Sequence, residues 1–273
     1  MFAHTAFGFF LAVGWNVQAG GGWGMLLGGL VVFVVFLNGG TLAINSAFDR
    51  DEGDVGYLDA PPPPPEHLFA FSLGIMAMGQ LLALLFFPLL FAGVYAACFL
   101  MSVVYSVPPF RWKAVGGLDL LINAVGFGAL TPLAGWALTG RAVPGWAWLL
   151  FLGFALLFAA LYPLTQLYQM EEDRARGDRT LAIILGGARP SLGMAIASAG
   201  AAFAAFGAAV GRVDLGGWGA LLFLPFAAWA LVLVPWAFRA EEWPAERQKR
   251  GMYHALAAWA VTDVAVLLAF VLG

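Results

Sequence analysis

Charge is scarce in this sequence. Of its 273 residues only 11% are Asp, Glu, Lys or Arg, against 62% that are hydrophobic, whereas a soluble domain carries about a quarter charged residues. A water-soluble fold is thereby excluded, and an integral membrane protein is expected. Cysteine is scarcer still: the single Cys98 lies in an apolar run. It excludes an internal disulfide and reads as a small buried hydrophobe. No alternation of apolar and polar residues marks a β-barrel, no glycine-rich phosphate loop marks a soluble nucleotide enzyme, and no close internal repeat is visible. The N-terminus has no basic region and its first apolar run has no convincing cleavage site, so no cleavable leader is expected. No nucleic-acid partner is expected either.

What the sequence has is long apolar runs. Stretches of about 20 apolar residues can each cross ~30 Å of hydrocarbon as a helix. They recur over 3–19, 22–48, 67–88, 90–107, 117–139, 146–170, 190–211, 216–238 and 252–272. The expected fold class is all-α integral membrane: a nine-transmembrane-helix bundle in one domain, 1–273, with a central cavity open to the cytoplasmic boundary. The third and fourth spans divide at Phe87-Pro88. Nine spans place alternate loops on opposite sides. Of the 13 Lys and Arg, all but Arg141 and Arg212 then share the side of the N-terminus. That asymmetry puts the N-terminus and those loops in the cytoplasm, with the cell inner membrane as the expected location.

The acids gather on the same side. Asp49, Asp51, Glu52, Asp54, Asp59 and Glu66 share one loop, and Glu171, Glu172, Asp173 and Asp178 another. Two solvated loops would be one explanation, but the spacing suggests a second. In "INSAFDRDEGDVGYLDAPPPPPEH", Asn45 and Asp49 are four apart and so share a helical face, and Asp54 follows a glycine that lets the chain bend back. In "LTQLYQMEEDRARGDRTLAIILG", Gln166, Gln169 and Asp173 recur at i, i+3 and i+7. Two such stripes facing each other would form an oxygen-lined pocket suited to Mg²⁺, which is usually shared with substrate phosphates. Arg174 and Arg179 flank the second cluster, and "YSVPPFRWK" adds Arg111 and Lys113. Acids, Mg²⁺ and cations together hold a diphosphate and stabilise it as a leaving group. In a membrane cavity the natural bearer of that diphosphate is an isoprenoid.

At this point the residues resemble the UbiA superfamily of intramembrane prenyltransferases. "NSAFDRDEGD" is similar to that family's N-D-x-x-D-x-x-x-D motif through Asn45 and Asp49, with Ser46 in the second place and the last aspartate displaced to Asp54. "QLYQMEEDRARGDRTL" is similar to D-x-x-D-x-E-G-D-[RK]-x-x-G-x-x-T-L through Glu171, Asp173, Arg174, Gly177, Thr180 and Leu181, with Gln166 and Gln169 where aspartates usually stand. "YSVPPFRWK" resembles Y-S-x-P-P-x-R-x-K. The family's R-x-x-R-P-L-P segment is replaced by the arginine-free "DAPPPPPEH", a stiff polyproline spacer.

The resemblance implies Mg²⁺-dependent ionisation of a prenyl diphosphate and capture of the allylic cation by a lipophilic acceptor within membrane lipid. Asn45, Asp49, Asp54 and Asp173 would bind metal. Arg111, Lys113, Arg174 and Arg179 would hold the diphosphate, and Tyr105 would sit near the reacting carbon, so that Asp49, Asp173 and Tyr105 carry the chemistry. Gln169 can still give an oxygen to Mg²⁺, and Gln166 can bond a phosphate through its NH₂. The two lost carboxylates leave open a cyclase of the same fold, which closes the prenyl chain on itself, and a non-enzymatic transporter or binding protein.

Polar residues also occur inside the spans, where exposure to lipid is costly. Asp119 and Asn123, four apart, are expected to line the cavity or to bond between helices. Asp263 has no evident charged partner, and His254 reads as interfacial. The aromatics comprise 24 Phe, 11 Trp and 6 Tyr; many tryptophans fit an interfacial belt, and rings facing the cavity could stabilise a cation. The glycines of "GMAIASAGAAFAAFGAAVG" are expected to allow close helix packing.

Overall fold

Helices form where the apolar runs lie, and proline and glycine set their ends. The computed structural model describes residues 1–49, 63–177 and 179–273, with the side chains of Asp49 and Arg176 outside the description. The elements are α1 (Phe2–Val13), α2 (Gly22–Phe48), α3 (Leu68–Phe86), α4 (Leu89–Ser106), α5 (Leu118–Ala137), α6 (Gly145–Leu164), α7 (Met170–Arg176), α8 (Leu181–Ile184), α9 (Ala188–Val210), α10 (Gly216–Phe238) and α11 (Ala245–Leu272). Among the described residues there is no strand. The division at Phe87-Pro88 holds: Phe87 is extended, as a residue before proline must be, and Pro88 opens α4.

Two expected spans differ. Among the described residues eight helices, not nine, are long and apolar enough to cross a membrane. The first run ends as a helix of 12 residues, because Gly14 turns the chain at φ 60. The run over 146–170 is also interrupted. Pro163 stands in the last turn of α6, Thr165 and Gln166 form a turn, and Leu167–Gln169 is a 3₁₀ turn before α7 begins.

Two helices are widened partway along. Val31–Asn38 of α2 and Ala124–Leu130 of α5 are π-helical. In α5 the cause is visible: Pro132 has no N–H to give back along the helix, and Thr131 Oγ1 donates to the Gly126 carbonyl at 2.9 Å.

The most extensive packing joins α6 to α9, α10 to α11 and α1 to α5. Along α1 and α5 the backbones touch. A Cβ on Gly8 would stand 1.8 Å from the Pro132 oxygen, and one on Gly135 would stand 1.8 Å from the Thr5 oxygen. The glycines expected to pack closely do not: around Gly193, Gly200 and Gly207 of α9 there is open space. Gly135→Ala is therefore expected to lower stability by about 1–3 kcal/mol, whereas Gly200→Ala leaves it unchanged. Thermal unfolding in detergent reads both, and equal melting temperatures would contradict the assignment.

Asp263 does have a partner. His4 Nδ1 of α1 lies 3.2 Å from Asp263 Oδ1 of α11, with the two side chains 8% and 20% exposed. The His4 ring also meets Phe154 and Trp259 edge-on. Breaking one member of a buried pair strands the other. His4→Leu is expected to cost about 1–3 kcal/mol, the penalty for a buried polar group left alone, and His4→Leu with Asp263→Leu to recover most of it. A double variant no more stable than the single would show the pair to be unimportant.

Candidate active site

The polar groups anticipated from the first motif meet at the contact of α2 with α4. Thr41 and Asn45 are one turn apart on α2; Ser102 and Ser106 are one turn apart on α4. Thr41 Oγ1 and Ser102 Oγ lie 2.7 Å apart, and Ser106 Oγ donates to Asn45 Oδ1 at 2.5 Å. Ser106 is fully buried. This two-rung ladder fixes the Asn45 side chain and leaves its oxygen a second lone pair.

Beside the ladder is a cavity of about 270 Å³, whose lining includes Asn45, Tyr105, Asn123, Thr41, Leu37 and Phe127. Both π-helical segments contribute to it, Leu37 from one and Phe127 from the other. Widened turns thus face the space they border, a frequent arrangement at functional sites. Cys98 also lines it. Three of the anticipated site residues, Asn45, Tyr105 and Asn123, are brought together here.

Asp119 is not among the lining residues. It is 3% exposed at the start of α5, where Oδ1 accepts the N–H groups of Gly117 at 2.8 Å and Leu120 at 2.7 Å. Its Oδ2 accepts the Tyr162 hydroxyl at 3.1 Å. Of the two expected roles each residue takes one: Asn123 lines the cavity and donates to the Asp119 carbonyl at 2.8 Å, while the Asp119 carboxylate bonds across to α6.

The second motif is also rearranged. Because α6 ends at Leu164, Gln166, Gln169 and Asp173 do not form one helical stripe. Gln166 Oε1 accepts the Ala182 N–H at 3.0 Å, satisfying an otherwise unpaired donor in the first turn of α8. Gln169 is exposed on the 3₁₀ turn, and Asp173 is 5% exposed in α7. A carboxylate at position 166 would take the same N–H, so the amide keeps the docking while removing a charge.

The cationic loops meet nearby. A Cβ on Gly116 would stand 2.1 Å from Ile184 Cδ1 and 3.9 Å from the Arg179 oxygen, so the segment after Lys113 lies against the segment after α7. Arg174, Arg179 and Arg111 are exposed, and Lys113 is half-buried. Arg111 holds φ at 38, strained for a residue with a side chain. One cation was not anticipated. α11 begins at Ala245, seven residues before the apolar run, and Lys249 on that extension stands 5.9 Å from the Tyr168 ring centroid. Sequence gave no warning, because apolar periodicity starts only after it.

Asp54 and the side chain of Asp49 lie outside the described residues, although the backbone of Asp49 follows the end of α2, one turn beyond Asn45. Among the described residues no three His, Cys, Asp or Glu are grouped to hold a metal. The donors that are placed, the Asn45 amide oxygen and the Asp173 carboxylate, are hard oxygens that suit Mg²⁺.

Fold and site together describe an integral membrane helix bundle with a cavity of mixed polar and apolar lining between its helices. The chain belongs to the UbiA prenyltransferase family, whose sequence model matches residues 1–259. It is accordingly an intramembrane prenyltransferase of the UbiA type. Solved structures share the fold. A UbiA homologue from Archaeoglobus fulgidus bound to DMAPP and Mg²⁺ is 19% identical over 97% of this chain and 94% of that one, with a TM-score of 0.70. The same homologue bound to GPP and Mg²⁺ gives 18%, 97%, 94% and 0.68. A digeranylgeranylglyceryl phosphate synthase is 17% identical over 98% of this chain and 92% of that one, with a TM-score of 0.75. No curated protein matches the sequence.

Proposed function

We propose that the protein ionises a prenyl diphosphate with Mg²⁺ and passes the allylic group to a lipophilic acceptor held in the membrane. The observation that carries this reading is the cavity between α2, α4 and α5, lined both by polar side chains, among them Asn45, Tyr105 and Asn123, and by apolar ones that include Leu37, Met101 and Phe127. A ligand with a charged head and a hydrocarbon tail matches that mixed lining. Bound homologues support it, since the Archaeoglobus fulgidus protein was solved with DMAPP, with GPP and with Mg²⁺.

In this reading Asn45 and Asp173, with Asp49, Asp54 and Gln169, hold the metal. Bound there, Mg²⁺ neutralises charge on the departing diphosphate. Arg111, Lys113, Arg174 and Arg179 take the phosphate oxygens, Arg by its planar fork and Lys as a point charge, and the Gln166 NH₂ adds a neutral donor. Tyr105 stands at the reacting end of the prenyl group. The apolar walls exclude water, so the allylic cation survives to meet its acceptor. The basic loops are read as facing the cytoplasm, from the distribution of Lys and Arg.

Diphosphate release by the protein in nanodiscs, with C10 to C20 prenyl diphosphates and with or without Mg²⁺, tests the reading. Mg²⁺-dependent release supports it. A cyclic hydrocarbon formed without any acceptor would make the protein a cyclase instead, and neither binding nor release would remove the enzymatic reading.

A further inference from the structure

A second cavity, of about 510 Å³, lies at the start of α11, and its lining includes Trp243, Glu246, Arg247, Arg250, Gly251 and His254. It shares no residue with the cavity between α2, α4 and α5. Arg247, Arg250, Gly251 and His254 recur at i, i+3, i+4 and i+7, so they occupy one face of α11. Lys249, whose amine stands near the Tyr168 ring, is on the opposite face. The start of α11 thus turns one cation towards Tyr168 and two away from it.

Buried packing holds this cavity in shape. Gln248 is 5% exposed, and its Oε1 accepts the Trp236 indole N–H. Its Nε2 donates to the Ala240 carbonyl at 2.7 Å and to the Trp243 carbonyl at 3.3 Å, which pins the turn between α10 and α11. The Trp243 ring stacks on Trp236 with centroids 5.9 Å apart, and a Cβ on Gly251 would stand 2.8 Å from the Trp236 ring. Trp243 and Gly251 are therefore fixed. The Arg247 guanidinium lies 4.6 Å from the centroid of the Trp243 ring, a cation–π contact that steadies a long side chain.

The lining calls for an anion. Among the described residues no carboxylate lies within salt-bridge distance of Arg247 or Arg250. The Trp243 indole N–H is buried and has no hydrogen-bond partner among them either, the kind of group that a bound oxygen satisfies. These donors and the His254 ring outweigh the single Glu246, and guanidinium forks match the oxygens of a phosphate. Position supplies the rest of the ligand. Arg250 stands two residues before the apolar run over 252–272, at the boundary of the membrane. The face that carries Arg250 and His254 continues through Ala257, Val261 and Val264, all exposed, as an apolar ridge suited to acyl chains.

We propose that this cavity binds the phosphate of an anionic glycerophospholipid whose acyl chains lie along the ridge of Ala257, Val261 and Val264. On the side read as cytoplasmic, a basic pocket meets the leaflet in which anionic lipids are concentrated. The bound lipid ties the turn between α10 and α11 to the bilayer surface.

Lipid titrations of the detergent-purified protein, read as melting temperature, test the site, because a ligand of the folded state raises that temperature with its concentration. Dioleoyl phosphatidylglycerol is expected to raise it, and dioleoyl phosphatidylcholine and inorganic phosphate at equal concentration to leave it in place. Arg247→Gln and Arg250→Gln should each weaken phosphatidylglycerol binding by ~10-fold or more, as loss of a charged hydrogen bond does. Arg239→Gln removes an exposed charge just after α10 and outside the cavity. It should weaken binding by no more than about fivefold, the worth of one charge near an anionic surface. Arg250→Gln leaves the contact of Arg247 with Trp243 intact, so it decides the matter alone should Arg247→Gln fail to fold. No shift with phosphatidylglycerol, equal shifts with both lipids, a shift with inorganic phosphate as large as that with phosphatidylglycerol, or equal losses in Arg250→Gln and Arg239→Gln would each overturn the proposal.

Discussion

Replacing Asp173 by asparagine is expected to stop turnover. Asn preserves the size of a side chain that is only 5% exposed, so the fold should survive and the melting temperature should move little. What disappears is a negative charge, and at this site charge decides. The second motif already carries amides at Gln166 and Gln169. Gln166 has its oxygen committed to the Ala182 N–H, and Gln169 is a neutral donor. In the proposed site Asp173 is therefore the acid that this half would depend on. Removing a group that neutralises or anchors a developing charge costs on the order of 10²–10³ in rate, and loss of the metal with it would cost more. The expected result is a fall of ~10³-fold in Mg²⁺-dependent diphosphate release, with prenyl diphosphate still bound by the arginines. A variant keeping a tenth of the wild-type rate would exclude Asp173 from the metal site.

Asn45→Ala is expected to act on two quantities at once. The amide oxygen accepts from Ser106, which is fully buried. Truncation strands that hydroxyl, and an unpaired buried donor costs about 1–3 kcal/mol. The same oxygen is a proposed metal ligand, so turnover should drop by about 10²-fold as well. The two effects can be separated. In Asn45→Ala with Ser106→Ala the stranded hydroxyl is gone, so stability should return while activity does not. Ser106→Ala alone keeps Asn45 and should retain most activity. If activity in the double variant recovers together with stability, Asn45 serves the fold alone.

How far the sequence foretold this depends on the kind of signal. Span positions were legible because lipid forces an apolar run on each helix, and Phe87-Pro88 was legible because proline ends a helix by its own geometry. The shortness of α1 turned on the positive φ of Gly14, which its apolar surroundings conceal. The broken stripe after α6 is the most instructive miss. Helical periodicity was extended through Gln166 and Gln169, yet the helix stops at Leu164 and Gln166 docks α8 instead. Periodicity describes an element only while the element lasts.

Contacts between distant segments were illegible for another reason. Asp263 finds His4 across almost the whole chain, and Asp119 finds Tyr162 across 43 residues. Nothing local announces either partner. The glycines of α9 and those of α1 and α5 look alike in sequence, and only packing shows which ones let two backbones touch. By contrast, Asn45, Tyr105 and Asn123 were identified individually, and the structure gathers them at one cavity because each lies on a helix that borders it.

The most direct test of the central claim is the mass of the product. Protein in nanodiscs with a membrane-lipid extract, Mg²⁺ and a prenyl diphosphate should convert a lipophilic component to a species heavier by one prenyl unit less one proton. That species should be absent with EDTA and absent with Asp173→Asn. A product of that mass formed equally well by the Asp173→Asn protein, or no heavier lipid under any condition, would contradict the account.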